Sequence, residues 1–171
     1  MMTEELDICM DAPSCWIIAY GNPYRGDDGI GPFVAKMLRL HFDNAYEVGI
    51  RTMSQLDMAF LEEVQSADTI IFVDASRGTD TEVRWSPVEP ELNGWAIGSH
   101  HLTPDIFLGF LQVLYNRNPS AWMVSVPGFQ FALGQDLSPA ARHGAEEATL
   151  QIVDWLFRQN IALPHNTLKE D

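Results

Sequence analysis

The side chains of this chain best suited to chemistry are three acids and two histidines, each beside a turn. Asp27 and Asp28 are neighbours in Gly21-Asn22-Pro23-Tyr24-Arg25-Gly26-Asp27-Asp28-Gly29-Ile30-Gly31; Asp74 closes the apolar run Thr69-Ile70-Ile71-Phe72-Val73; His100 and His101 precede Leu102-Thr103-Pro104. Two carboxylates and one imidazole, with further positions left open, suit a borderline divalent ion such as nickel or zinc better than a soft thiolate set would. The same acids admit a second chemistry, in which Asp28 and Asp74 share one proton as an aspartic-protease dyad. Asp27 and Asp28 are poor dyad partners for each other because consecutive side chains diverge, and the histidine favours the metal. A serine or cysteine nucleophile lacks support: Ser99 is too near His100 in sequence to form a triad with it, and neither Cys9 nor Cys15 lies in one of these loops.

The elements that must position these groups alternate along the chain. Trp16 to Tyr20 is short, continuous and apolar, as a strand buried on both faces is. After the glycine-rich segment, Pro32 suits a first helical position, and Phe33, Val34, Met37, Leu38 and Leu40 follow at helical spacing. Asp28 is thereby set close to a helix N-terminus, where the backbone dipole favours an ionised carboxylate. Glu47 to Thr52 reads as a short strand, and Asp57 to Val64 as a helix with Met58, Leu61 and Val64 inward. Thr69 to Asp74 is the clearest strand, apolar and β-branched, and its terminal acid could also be a simple cap for the next turn. A weaker strand spans Glu82 to Pro87. Thr103 as N-cap, Pro104 at N1 and Asp105 in the first turn open a helix that turns Ile106, Phe107, Phe110, Leu111 and Leu114 inward and stops near Asn116. Trp122 to Val126 is another buried strand. Ser138-Pro139 opens the last helix, which runs to about Gln159 with Ala141, Ala145, Ala148, Ile152 and Leu156 along one face.

This order predicts one domain over 1–171 with frayed ends at 1–14 and 164–171, built as a three-layer α/β/α fold. Its sheet is mainly parallel and twisted, with Trp16–Tyr20, Thr69–Val73 and Trp122–Val126 among the central strands. Loops at the carboxyl ends of such strands converge, which would collect Asp28, Asp74 and His100.

Several functions are disfavoured. A phosphate-binding loop needs a third glycine where this chain has Pro32, Phe33 and Val34, and Asp27 and Asp28 would repel the phosphate. The plain structural reading of the segment is a turn capped by Asp28, with Gly29 and Gly31 supplying unusual dihedrals. A formal charge of −14, from 24 acids against 10 Lys and Arg, opposes nucleic acid; it serves solubility or receives a basic segment of a partner. The acidic start Thr3-Glu4-Glu5-Leu6-Asp7, and the lack of an apolar run long enough for a bilayer, predict a cytoplasmic protein without a membrane partner. Cys9 and Cys15 then read as free thiols.

The segment Gly21–Gly31 resembles the signature of the hydrogenase maturation proteases, G-N-x-L-x-x-D-[DE]-G-x-G, and departs from it at Tyr24, where an aliphatic residue is usual. Ile71-Phe72-Val73-Asp74-Ala75 is similar to the family's second metal-contacting segment, a strand ending Asp-Ala. His100-His101-Leu102-Thr103 is similar to its H-x-L-[ST] pattern, which selects His100; a slip of one residue would give the role to His101. Gln55-Leu56 and Gly134 to Pro139 also resemble the family, so the likeness runs from Trp16 to the end of the last helix. It implies an endopeptidase that removes the C-terminal extension from the precursor large subunit of a nickel–iron hydrogenase, recognising nickel already inserted there. It implies Asp28, Asp74 and His100 as the catalytic and metal-contacting residues, with Asp27 a neighbour oriented by backbone N–H groups. The nickel would belong to the substrate and be met transiently, with no permanent organic cofactor. A non-cleaving, nickel-sensing assembly chaperone would carry the same residues.

Overall fold

In a computed structural model of the chain, the described residues are 12–42, 45–78, 81–92 and 102–161. They contain strands β1 (Cys15–Tyr20), β2 (Val48–Met53), β3 (Thr69–Arg77), β4 (Arg84–Pro87) and β5 (Ser120–Gly128). The helices are α1 (Ile30–His41), α2 (Leu61–Val64), α3 (Pro104–Tyr115) and α4 (Pro139–Arg158), and 3-10 turns at Gly26–Gly29 and Met58–Phe60 lead into α1 and α2. The sheet order is β2-β1-β3-β5-β4, parallel except for β4, which runs antiparallel along β5. The three strands expected at the centre are there.

Both faces of the sheet are buried, which is why its central strands read as unbroken apolar runs. Ile17, Ala19, Ile71, Val73, Val124 and Val126 meet Val34 and Leu38 of α1 and Ala141, Ala145, Ala148, Ile152 and Leu156 of α4 on one side. Trp16, Ile18, Ile70 and Phe72 meet Leu61 and Val64 of α2 and Phe107, Leu108 and Leu111 of α3 on the other. The alternation of strand side chains therefore yields two cores on one sheet. Phe72 and Phe107 cross edge to face at 5.9 Å inside the second core.

The structure corrects some details of the sequence reading. β3 does not stop at Asp74 but continues to Arg77, because Asp74 to Arg77 pair with Ser125 to Gly128 of β5. α1 begins at Ile30, ahead of Pro32, because the 3-10 turn already delivers the chain into it; Pro32 falls in the first turn, where a missing N–H costs nothing. Leu40 and Leu114 point to solvent, with 73% and 59% exposure, since the inward stripes are Ile30, Val34, Ala35, Leu38 and Ile106, Phe107, Leu108, Leu111. Met58 packs half-buried against the second core as expected, and Phe60, not singled out by the helical spacing, is buried beside it. Thr103 precedes α3 in extended backbone, but its side chain makes no capping hydrogen bond. Near the start, the Ser14 carbonyl accepts from the N–H groups of Asp68 and Thr69 at 2.8 and 3.1 Å. Cys15 is a buried free thiol whose pKa burial pushes up to about 12, whereas Cys9 and most residues of the expected frayed ends lie outside the described residues. No described helix is long and apolar enough to cross a membrane.

Candidate functional site

The site is assembled where β1 ends. Gly21 holds a φ of +137°, and a Cβ there would collide with the Asp28 carbonyl oxygen, so glycine lets the chain double back on itself. Its N–H donates to the Met53 carbonyl at 3.1 Å, tying the loop to β2. The positive dihedrals fall on Gly21 and Gly26, not on Gly29 and Gly31 as the sequence suggests. Gly31 serves by its size: a Cβ would strike the backbone of Tyr20, so α1 can cross the end of β1 closely.

The two adjacent acids have different surroundings. Asp27 is fully buried. Its Oδ2 accepts from Phe129 N at 2.7 Å, Gln130 N at 3.0 Å and Ser138 Oγ at 2.9 Å, while Oδ1 accepts from Ser138 N at 2.7 Å. Burial pushes its carboxyl up, but the hydrogen bonds from Ser138, Phe129 and Gln130 outweigh this and hold it below the usual range. Ser138 in turn caps α4 by accepting from Ala141 N at 3.1 Å. One carboxylate thus joins the glycine-rich loop, the exit of β5 and the start of α4.

Asp28 is half-buried, and its Oδ2 accepts from Asn22 N at 3.1 Å. Asp28, in the 3-10 turn after β1, and Asp74, within the neighbouring strand β3, line one pocket of about 180 Å³ together with Tyr20, Ser54, Gln55 and Leu102. Burial raises the Asp74 carboxyl, the charge of Asp28 raises it further, and the Ala75 N–H at 2.7 Å and Arg77 oppose them; the balance stands at about 7. Tyr20 is pushed above the usual phenol value by burial and by the charges of Asp74 and Asp105. A carboxyl that exchanges its proton near neutrality beside a second carboxylate can move a proton or, once deprotonated, take a cation.

His100 and His101 lie outside the described residues, although Leu102, which follows them, lines the pocket. Among the described residues, no three His, Cys, Asp or Glu side chains are grouped to hold a metal ion. The sequence reading did not single out Tyr20 or Ser54 for the site. Tyr20 carried a signal, since it adjoins the motif and alternates onto the same face as Trp16 and Ile18.

No protein-family model matches the chain, and no curated protein matches it in sequence. Solved structures match it in fold. The hydrogenase maturating endopeptidase HybD from E. coli aligns with a TM-score of 0.68 at 20% identity, over 85% of this chain and 93% of HybD. HycI, a [NiFe] hydrogenase maturation protease from Thermococcus kodakarensis, aligns at 0.67 and 20%, over 84% and 92%. A hydrogenase 2 maturation peptidase from a Thaumarchaeota archaeon aligns at 0.60 and 16%, over 83% and 97%. The chain has the fold of the hydrogenase maturation proteases, which bears out at the level of architecture the resemblance drawn from Gly21–Gly31.

Proposed function

We propose that this chain is a hydrogenase maturation endopeptidase that removes the C-terminal extension from the precursor large subunit of a nickel–iron hydrogenase. The observation that carries the reading is the pairing of Asp28 and Asp74 in one pocket, within the fold of HybD and HycI. Nickel enters as part of the substrate. Asp28, Asp74 and, from the segment before Leu102, His100 are the residues to engage it, and two carboxylates with an imidazole fit a borderline divalent ion. Such an ion draws electron density from groups around it and positions the chain that carries it.

The rest is the work of the chain's own residues. Asp28 and Asp74 line one pocket, and a cation there favours the ionised form of both carboxyls. Attraction between two carboxylates and a cation is what favours a metal-bearing precursor over a bare one. In hydrolysis the oxygen of water bonds to the scissile carbonyl carbon, the C–N bond breaks, and one proton passes from water to the leaving nitrogen. In this reading Asp28 and Asp74, which line one pocket, carry that proton. Asp27 holds the loop so that Asp28 faces the pocket. Cytoplasmic location accords with a reaction on an unassembled subunit.

The test mixes the purified chain with nickel-loaded and nickel-free precursor. A shortened product is expected from the loaded form alone, and Asp28→Ala or His100→Ala should abolish it with little change in melting temperature. Tight binding of the loaded precursor with no shortened product would replace the protease by the non-cleaving chaperone.

A further inference from the structure

We propose that the Tyr20 hydroxyl is a substrate-contacting hydrogen-bond donor of this site, aimed at the oxygen of the scissile carbonyl. The proposal rests on the endopeptidase reading and adds to it a group that the likeness to the protease motif does not supply.

Attack of water on a peptide carbonyl moves an electron pair onto the carbonyl oxygen, and catalysis gains most from donors fixed in advance where that charge develops. The two acids of this pocket cannot act as such donors when ionised, and each would oppose the new charge. Among the described residues lining the pocket there is no Lys, Arg or His. The side-chain donors are the hydroxyls of Tyr20 and Ser54 and the amide of Gln55. Ser54 and Gln55 stand exposed after β2.

Tyr20 is held differently. It is the last residue of β1, in register with Met53 of β2, and α1 crosses its backbone at Gly31. Its partly buried ring packs against the core that contains Trp16, Ile18 and Phe107. Tyr20 also lines the pocket, and it follows the Ala19–Val73 pair of the parallel β1–β3 ladder as Asp74 does on the neighbouring strand. A side chain with two torsions whose ring is anchored in a core is preorganised. The charges of Asp74 and of Asp105, in the first turn of α3, both act on its hydroxyl. An ordinary phenol keeps its proton at neutral pH, and this one has two carboxylates beside it, so it donates and does not titrate there. A carbonyl whose oxygen meets Tyr20 shares the pocket with Asp28 and Asp74. The Tyr20 proton stays on its oxygen throughout, and the proton of the attacking water leaves by the carboxyl pair.

Tyr20→Phe removes the hydroxyl and keeps the ring. On nickel-loaded precursor, kcat should fall about 10²-fold or more while KM stays within about twofold and the melting temperature is unchanged. A kcat within about twofold of the parent overturns the proposal, as does a lowered melting temperature with kcat intact, which would make the hydroxyl structural. A large kcat loss in Gln55→Ala with none in Tyr20→Phe would move the role to the amide and equally overturn it. Failure of the parent chain to cut any loaded precursor is a different result, because it removes the endopeptidase reading itself.

Discussion

Asp27 and Asp28 are chemically identical neighbours, and tertiary contacts give them different tasks. Asp27 receives four hydrogen bonds from residues more than a hundred positions away and is sealed from water, whereas Asp28 accepts one from Asn22 and opens onto the pocket. Replacing Asp27 by Ala would strand the N–H groups of Phe129, Gln130 and Ser138, so a loss of about 2–5 kcal/mol is expected in urea unfolding at pH 7. The sign of its pH dependence follows from its depressed folded pKa. The stabilisation is fully present above the unfolded carboxyl value near 4 and is lost as pH falls through the lower folded value. The gap between parent and Asp27→Ala should therefore narrow below about pH 4, and a gap constant down to pH 2 would contradict this account.

At the scale of elements, the unit that matters is β1, its loop and α1. Gly31→Ala places a Cβ against the Tyr20 backbone, so α1 must slide off the end of β1; about 1–3 kcal/mol of destabilisation is expected, with loss of the cleavage proposed above as Tyr20 and Asp28 shift. Leu40→Ala, on the solvent side of the same helix, should change stability by no more than about 0.5 kcal/mol. The pair of variants measured by thermal melting distinguishes the buried stripe from the helical spacing that first included Leu40. Leu40 and Leu114 misled the sequence reading because apolar residues are common on surfaces, and a 3.6-residue period accommodates more than one stripe. The end of β3 was illegible for another reason. Asp74 to Arg77 are extended only because Ser125 to Gly128 lie alongside them, and such pairing has no local signature.

Over the whole molecule, the two cores share every central strand. Ile17 and Ile18, or Ile71 and Phe72, contribute to opposite faces from adjacent positions, so neither core can open while the other stays packed. A single cooperative unfolding transition is expected, with calorimetric and van't Hoff enthalpies in agreement; two resolved transitions would show that the faces are independent. The indole cluster of Trp85, Trp122 and Trp155, with centroids 6.0–6.4 Å apart, fastens the antiparallel edge strand β4 to β5 and α4 and gives that transition a fluorescence probe.

What the sequence determines by itself is the type and order of the elements and the two loops that carry acids. Burial on both faces produces the apolar runs of β1, β3 and β5. A stripe of alanines with Ile152 and Leu156 marks α4, and glycines beside Asp27-Asp28 mark a tight turn of chemical interest. The convergence of Asp28 and Asp74 is legible from the strand order, whereas tertiary structure alone decides that Tyr20 lines their pocket, that β4 runs backwards and that Asp27 is sealed against β5 and α4. Each of these depends on atoms distant in sequence, and desolvation, charge proximity and hydrogen bonding act through space, so the chain must fold before a carboxyl such as Asp74 can be shifted to about 7.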